Sequence, residues 1–177
     1  MIRITGGKNR SRKLFIPENN LTKPTMDKVR AAVFNALSND VNNKDVLDLF
    51  SGSGSYGFEA LSRDAKSVTF VDKEKDAIKA IKNNAETLKE TSIKVFQNDV
   101  ITFLESKNGQ FDLVFVDPPY KLDIYQNVLN LLEKNEYLKD NSIIVLESEK
   151  ELGINLEKYK KVKLYNYGLA KIYILRK

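Results

Sequence analysis

From residue 45 onward the chain alternates short apolar runs with longer stretches in which apolar residues recur at helical spacing. The runs 45–49, 67–71, 93–97, 111–116 and 142–146 are rich in Val, Ile, Leu or Phe and poor in charge, the pattern of strands buried on both faces of a parallel sheet. Between them, 73–89 sets Ile78, Ile81, Ala85 and Leu88 on one helical face. The segment 124–133 does the same with Tyr125, Val128, Leu129 and Leu132. Such alternation predicts right-handed βαβ units and a doubly wound α/β sheet. The C-terminal end breaks the rhythm. Two strand-like runs, 161–165 and 170–175, flank Asn166-Tyr167-Gly168, which predicts a hairpin adding an antiparallel strand to an otherwise parallel sheet. At the other end, 2–16 reads as a short basic hairpin turning at Gly6-Gly7 or near Asn9. Lys23-Pro24-Thr25 then leads into a helix over 26–37, with Thr25 as N-cap and Val29, Val33, Phe34 and Leu37 on its apolar face. The expected organisation is one domain over 41–177 with a small N-terminal extension over 1–40.

Composition narrows the chemistry. The 177 residues, 42% hydrophobic and 30% charged, suffice for a single buried core. No apolar run is long enough to cross a bilayer and the N-terminus lacks a signal-peptide core, so a cytoplasmic location is expected. The chain has no cysteine and no histidine. Disulfides, thiolate catalysis, zinc sites and a Ser-His-Asp hydrolase are thereby excluded, and no metal is expected. Catalysis must run on carboxylates, hydroxyls, lysines, backbone groups or a borrowed cofactor. The net charge is +5, and residues 1–30 hold Arg3, Lys8, Arg10, Arg12, Lys13, Lys23, Lys28 and Arg30 against only Glu18 and Asp27. A basic stripe of this kind fits a polyanion, most often nucleic acid, or else a solubilising arm.

Two motifs carry candidate chemistry. In 46–61 a strand runs into Ser51-Gly52-Ser53-Gly54-Ser55-Tyr56-Gly57 and opens a helix. Gly52, Gly54 and Gly57 match the spacing of a nucleotide-binding turn, and Asp72 ends the next strand, where a carboxylate can accept from both ribose hydroxyls. NAD and S-adenosylmethionine both suit such a turn. Asp48, just before the glycines, would repel a pyrophosphate but suits a cationic methionine end. Asn98-Asp99, after the third strand, offers an acceptor for an adenine amine, or Asp99 simply caps the next short helix over 100–105. The second motif is Asp117-Pro118-Pro119-Tyr120, at the end of the fourth strand. Two prolines force a rigid extended exit, so the Asp117 carboxylate and the Pro118 carbonyl project as acceptors and Tyr120 offers a ring for stacking. Acceptors on both hydrogens of an exocyclic amine pull its nitrogen towards tetrahedral geometry and free the lone pair to attack a sulfonium methyl. Methylation at carbon 5 of a pyrimidine, which typically needs a cysteine, does not fit.

Asp-Pro-Pro-Tyr is the signature of class I amino-methyltransferases acting on nucleic-acid bases. With Arg3-Ile4-Thr5-Gly6-Gly7, Lys8 through Leu14, Lys23-Pro24-Thr25, Val29-Arg30, Phe34-Asn35, Asp48 through Gly54 and Glu147-Ser148-Glu149, the chain resembles the RsmD family over nearly its whole length. Those are bacterial methyltransferases placing one methyl on the N2 amine of a guanine in 16S ribosomal RNA. The resemblance implies a Rossmann-like class I fold, a mostly parallel seven-stranded sheet, and S-adenosylmethionine as cofactor. It implies that Asp48, Ser51, Gly52 and Gly54 hold the methionine half, Asp72 the ribose, and Asn98 and Asp99 the adenine, with Lys73 also among the cofactor-binding residues. Asp117, Pro118 and Tyr120 are the implied catalytic set. Arg3, Lys8, Arg10, Arg12, Lys13, Lys23, Thr25 and Arg30 should grip the RNA, in the small subunit or an assembly intermediate, and the basic hairpin and the Thr25 helix should help close the cofactor site. Lys23 stands where the family usually has arginine, which loses bidentate bonding. Glu147 either orients the target or active-site loop, or ends a strand. A monomer is expected. The alternatives are an adenine N6-methyltransferase, an NAD-binding protein and a non-catalytic RNA-binding module.

Overall fold

The computed structural model describes residues 2–17, 25–107, 109–119 and 122–177, with Thr25 and Met26 described by their backbone alone. The expectations on Lys23 and Tyr120, and on the Thr25 side chain, lie outside the described residues.

Seven strands form one sheet: β3 (Asp45–Leu49), β4 (Ser67–Asp72), β5 (Ile93–Gln97), β6 (Phe111–Val116), β7 (Leu138–Ser148), β8 (Lys161–Tyr167) and β9 (Ala170–Arg176). Their order is β5-β4-β3-β6-β7-β9-β8. The first five are parallel, and β9 joins β7 and β8 antiparallel, as the broken rhythm of the C-terminus predicts. A separate two-stranded ladder, β1 (Ile2–Arg3) with β2 (Lys13–Leu14), makes the N-terminal hairpin.

Helices cover both faces, as a parallel sheet requires. On one face lie α1 (Thr25–Leu37), α2 (Ser55–Ser62) and α3 (Lys75–Leu88), packed with Val46, Phe70, Phe115 and Val145. On the other lie α4 (Val100–Glu105) and α5 (Tyr125–Lys134), packed with Leu47, Val71, Val114 and Leu146. Period-two alternation decides which cluster each strand residue joins. Ile2, Ile4 and Leu14 belong to the α1–α3 cluster, so the N-terminal elements share the core of the main sheet.

Several element ends differ from the sequence reading by a residue or two, with α3 starting at Lys75 and β8 running through Asn166 and Tyr167 of the expected turn, and two differences change the picture. α1 already contains Thr25, so Thr25 opens the helix rather than capping it. β7 starts four residues before the expected run, at Leu138. Its polar start hides the strand: the register shifts between Phe111 and Leu113, and Lys139 there bonds Asp45 at 2.6 Å and Asp112 at 2.9 Å. Charge also redistributes. Residues 157–177 hold seven basic side chains against Glu157 alone, so the near-neutral remainder of the chain conceals a second basic end. Among the described residues, no helix is long and apolar enough to cross a membrane.

Candidate active site

The strand order reverses direction between β3 and β6, and the loops leaving their C-terminal ends therefore diverge to leave a crevice. Both sequence motifs lie there. The glycine turn follows β3, and Asp117-Pro118-Pro119 follows β6.

The turn is built by close approach. Gly54 sits at φ 76° and caps α2, and a Cβ there would meet Phe58 at 2.8 Å. At Gly57 a Cβ would lie 2.2 Å from the Phe70 ring, so only glycine lets α2 pack this tightly on β4. Ser51 Oγ lies 2.6 Å from the Asp48 carbonyl and accepts from the Val71 N–H at 2.9 Å. Its hydroxyl thus staples the turn to the sheet. Asp72 does more than wait for a ribose. Its Oδ2 accepts from Gly52 N–H at 2.8 Å and its Oδ1 from Glu74 N–H at 2.9 Å, so the carboxylate fastens the turn to the end of β4. Each oxygen retains a further lone pair for a hydroxyl. Asn98 N–H donates to the Asp72 carbonyl at 3.0 Å, which brings the end of β5 beside that carboxylate. Asp99 caps α4, its Oδ1 accepting from Ile101 and Thr102, the simpler of its two expected roles. Lys73 is exposed and 3.9 Å from Glu74.

Three carboxylates gather on the α1–α3 face of neighbouring strands. Asp48 on β3 follows Val46 by two residues, Asp117 follows Phe115, and Glu147 on β7 follows Val145. Asp48 is buried, and its Oδ2 accepts from Gly57 N–H at 2.9 Å. Burial, with the charge of Asp72, outweighs that hydrogen bond and pushes its pKa up to about 8. Burial, then Glu147 and then Asp48, raise Asp117 well above the usual carboxylate range. Among the described residues, no donor reaches the Asp117 carboxylate. Glu147 is raised chiefly by burial, opposed by the Tyr56 hydroxyl and the charge of Arg30. Among the described residues, no group of acidic side chains is arranged to hold a metal ion.

Tyr56 is the residue the sequence reading passed over. It sits in the first turn of α2 and donates its hydroxyl to Glu147 Oε2 at 2.5 Å. Its ring packs 4.8 Å from Phe115, with Phe34 completing an aromatic floor beneath the carboxylates. Burial and then the negative charge of Glu147 hold its proton on firmly. Tyr125 donates to the Glu147 carbonyl at 2.7 Å and fixes that stretch of β7 from the opposite face. The only trace of these partnerships in sequence was position: a tyrosine inside the glycine turn and a glutamate at a strand end.

The proposed RNA-gripping residues divide. Arg30 is corrected: it is 2% exposed and faces inward, with Nε 3.3 Å from Glu59 Oε2, Nη2 2.9 Å from Asp27, and a bond to the Arg3 carbonyl. Its guanidinium serves the fold and is unavailable to a phosphate. Glu59, fully buried, also accepts from Thr5 N–H and Oγ at 2.7 Å each and from Arg63 Nε at 2.9 Å, clamping the hairpin and α1 to α2. Arg3, Lys8, Arg10, Arg12 and Lys13 are exposed. Lys8 pairs with Glu90 at 3.0 Å and Arg12 bonds the Thr87 carbonyl at 3.0 Å, so the hairpin tip rests on the far, C-terminal end of α3. The tip therefore does not cover the cofactor turn. That link runs instead through Asn84, which joins Phe15, just after β2, to the Ser53 carbonyl.

With this geometry in view, relatives identify the lineage. The family described as Conserved hypothetical protein 95 matches residues 2–176. The ribosomal RNA small subunit methyltransferase D of Escherichia coli is 39% identical over 153 residues, 86% of this chain and 77% of that protein. The solved structure of a putative methyltransferase, yhhF, from Escherichia coli superposes with a TM-score of 0.90 at 34% identity, covering 99% of this chain and 97% of that one. A Thermus thermophilus 16S rRNA N2 methyltransferase, solved with AdoMet and guanosine, shares the fold at TM-score 0.72 and 18% identity, over 92% of this chain and 45% of that one. A family match across nearly every residue, on a class I methyltransferase sheet with both motifs at its crevice, makes this chain a member of the RsmD family.

Proposed function

We propose that this protein transfers a methyl group from S-adenosylmethionine to the N2 amine of a guanine in 16S rRNA, in the cytoplasm, as a monomer acting on the small subunit or its assembly intermediate. One observation carries the reading: Asp48, Asp72 and Asp117-Pro118 converge on the crevice between β3 and β6. The residues present fit that cofactor by their chemistry. A buried carboxylate beside the glycine turn favours a cation and disfavours the pyrophosphate of NAD. Asp48 would face the charged methionine end, Asp72 the ribose, and Asn98 with Asp99 the adenine.

The cofactor supplies an electrophilic methyl on a cationic sulfur. The protein's part is to prepare the nucleophile. Asp117 accepts one hydrogen of the N2 amine and the Pro118 carbonyl accepts the other, so the lone pair leaves conjugation with the ring. Nitrogen then forms the bond to the methyl carbon as the sulfur–carbon bond breaks and its electrons return to sulfur. The methylated nitrogen carries one surplus proton, and Asp117 takes it in its ionised form, a carboxylate that burial and the charges of Glu147 and Asp48 make more basic. The target guanine must leave its stack to reach this crevice, which suits a loop of the RNA. Tyr120 follows directly on the prolines as the residue to stack against it.

The test is methyl transfer from labelled S-adenosylmethionine to small-subunit particles from cells lacking this protein, followed by nucleoside analysis. Label in N2-methylguanosine is expected. Label in N6-methyladenosine would keep the amine chemistry and overturn the base, and no label with cofactor bound would leave only an RNA-binding module.

A further inference from the structure

Holding an amine between Asp117 and Pro118 does not by itself select guanine, because adenine also presents an exocyclic amine. Discrimination requires a group that reads the rest of the base edge. Guanine carries a proton on N1, next to the N2 amine, whereas adenine and 2-aminopurine carry a bare lone pair there. A fixed acceptor beside Asp117 would welcome the first and repel the others.

Glu147 meets that description. Val116 of β6 pairs with Leu146 of β7, so one step further along the register Asp117 and Glu147 stand side by side on the α1–α3 face, on strands about 4.8 Å apart. Glu147 is 6% exposed, and its two oxygens are not equivalent. Tyr56 holds Oε2, while among the described residues no donor reaches Oε1. Tyr56 is itself held by stacking on Phe115, and Tyr125 anchors the Glu147 backbone, so the carboxylate is positioned before any substrate arrives. Neither tyrosine nor glutamate has a part in the transfer step itself. A buried carboxylate with one oxygen tied and the other open, adjacent to the amine-binding acceptor, is a recognition element for a neighbouring N–H.

We propose that Glu147 reads the target base as guanine, its free Oε1 accepting the N1 proton while the Tyr56 hydroxyl holds Oε2 in place. This rests on the reading of Asp117 as the group that binds the N2 amine. A base lacking the N1 proton leaves a buried carboxylate facing a lone pair, the kind of mismatch that a site built around a hydrogen bond rejects by large factors.

The experiment compares particles reconstituted with 16S rRNA carrying either guanine or 2-aminopurine at the target position. Both bases have the N2 amine; only guanine has the N1 proton. Wild type should favour guanine in kcat/KM by about 10³-fold or more. Glu147→Gln replaces the acceptor with an amide able to donate to a bare N1. Guanine turnover should fall about 100-fold while 2-aminopurine turnover holds or rises, collapsing the ratio by about 100-fold or more. Tyr56→Phe, which keeps the ring stack and removes only the hydroxyl, should lower the ratio part of the way. Equal losses on both bases in Glu147→Gln, or an unchanged ratio in Tyr56→Phe, would mark Glu147 as a strand-end support and overturn the proposal. Should Glu147→Gln fail to fold, the Tyr56→Phe ratio decides alone. Wild type inactive on guanine would overturn the N2-transfer reading instead, so the two failures are distinguishable.

Discussion

Asp48 offers a quantitative handle on cofactor binding. With its pKa pushed up to about 8, the ligand-free protein at pH 7 holds this carboxyl about nine-tenths protonated. A cation seated beside it stabilises the ionised form, so binding must expel that proton. Uptake of S-adenosylmethionine at pH 7 should release about 0.9 proton, and affinity should weaken about tenfold for each pH unit below about 8, levelling off above it. Titration calorimetry in buffers of different ionisation enthalpy measures the released proton directly. Asp48→Asn should abolish both the proton release and the pH slope, while keeping a partner for the Gly57 N–H. The same linkage acts on folding. A carboxyl whose pKa is raised in the folded state contributes stability that is complete below its unfolded value and is lost as pH rises through the folded one. Ligand-free protein should therefore lose up to about 1.4 kcal/mol per pH unit between about 4 and about 8 from this group. An affinity flat between pH 6 and 8 with no buffer dependence would refute the reasoning, since it would mean that Asp48 is already ionised or does not face the cation.

The other predictions address different links. Asp117→Asn should leave cofactor affinity within about twofold and reduce single-turnover methyl transfer by about 10²–10³, since the amide oxygen still accepts the amine hydrogen but the negative charge and the proton sink are lost; parallel loss of cofactor binding would assign the residue a structural role. Glu59→Ala strips a fully buried carboxylate from Arg30, Arg63 and Thr5, and should cost about 3–5 kcal/mol in urea unfolding, whereas a loss under about 1 kcal/mol would show the clamp to be dispensable. Neutralising Arg10, Arg12 and Lys13 together should lower the slope of log K against log salt for RNA by about 2. An unchanged slope would move the RNA path away from this hairpin, with Lys161→Gln/Lys163→Gln on the exposed edge strand β8 as the next pair to test.

The sheet was legible because its elements are dictated locally. Strands buried on both faces need near-continuous apolar runs, helices on such a sheet need a 3.6-residue stripe, and both patterns are written across most of 45–146. β7 escaped in part because its polar start lies at a bulge, where Lys139 meets carboxylates from two other strands. The glycine turn and Asp117-Pro118-Pro119 were equally plain, since each depends on backbone constraints carried by its own residues. Partnerships across the chain were not. Nothing local to Arg30 tells an RNA-facing arginine from one enclosed by Glu59 and Asp27; that is decided by which way α1 turns its side chains once packed on α2. The family resemblance likewise implied that the basic hairpin helps close the cofactor site, whereas its tip docks on the far end of α3. Glu147 shows the division most clearly. The sequence by itself determined that a glutamate ends a strand; only the parallel register of β6 and β7 set it beside Asp117, and only the packing of α2 brought the Tyr56 hydroxyl to one of its oxygens. Pattern determines elements because it acts over a few residues, and tertiary structure decides sites because burial and electrostatics act between residues some ninety positions apart.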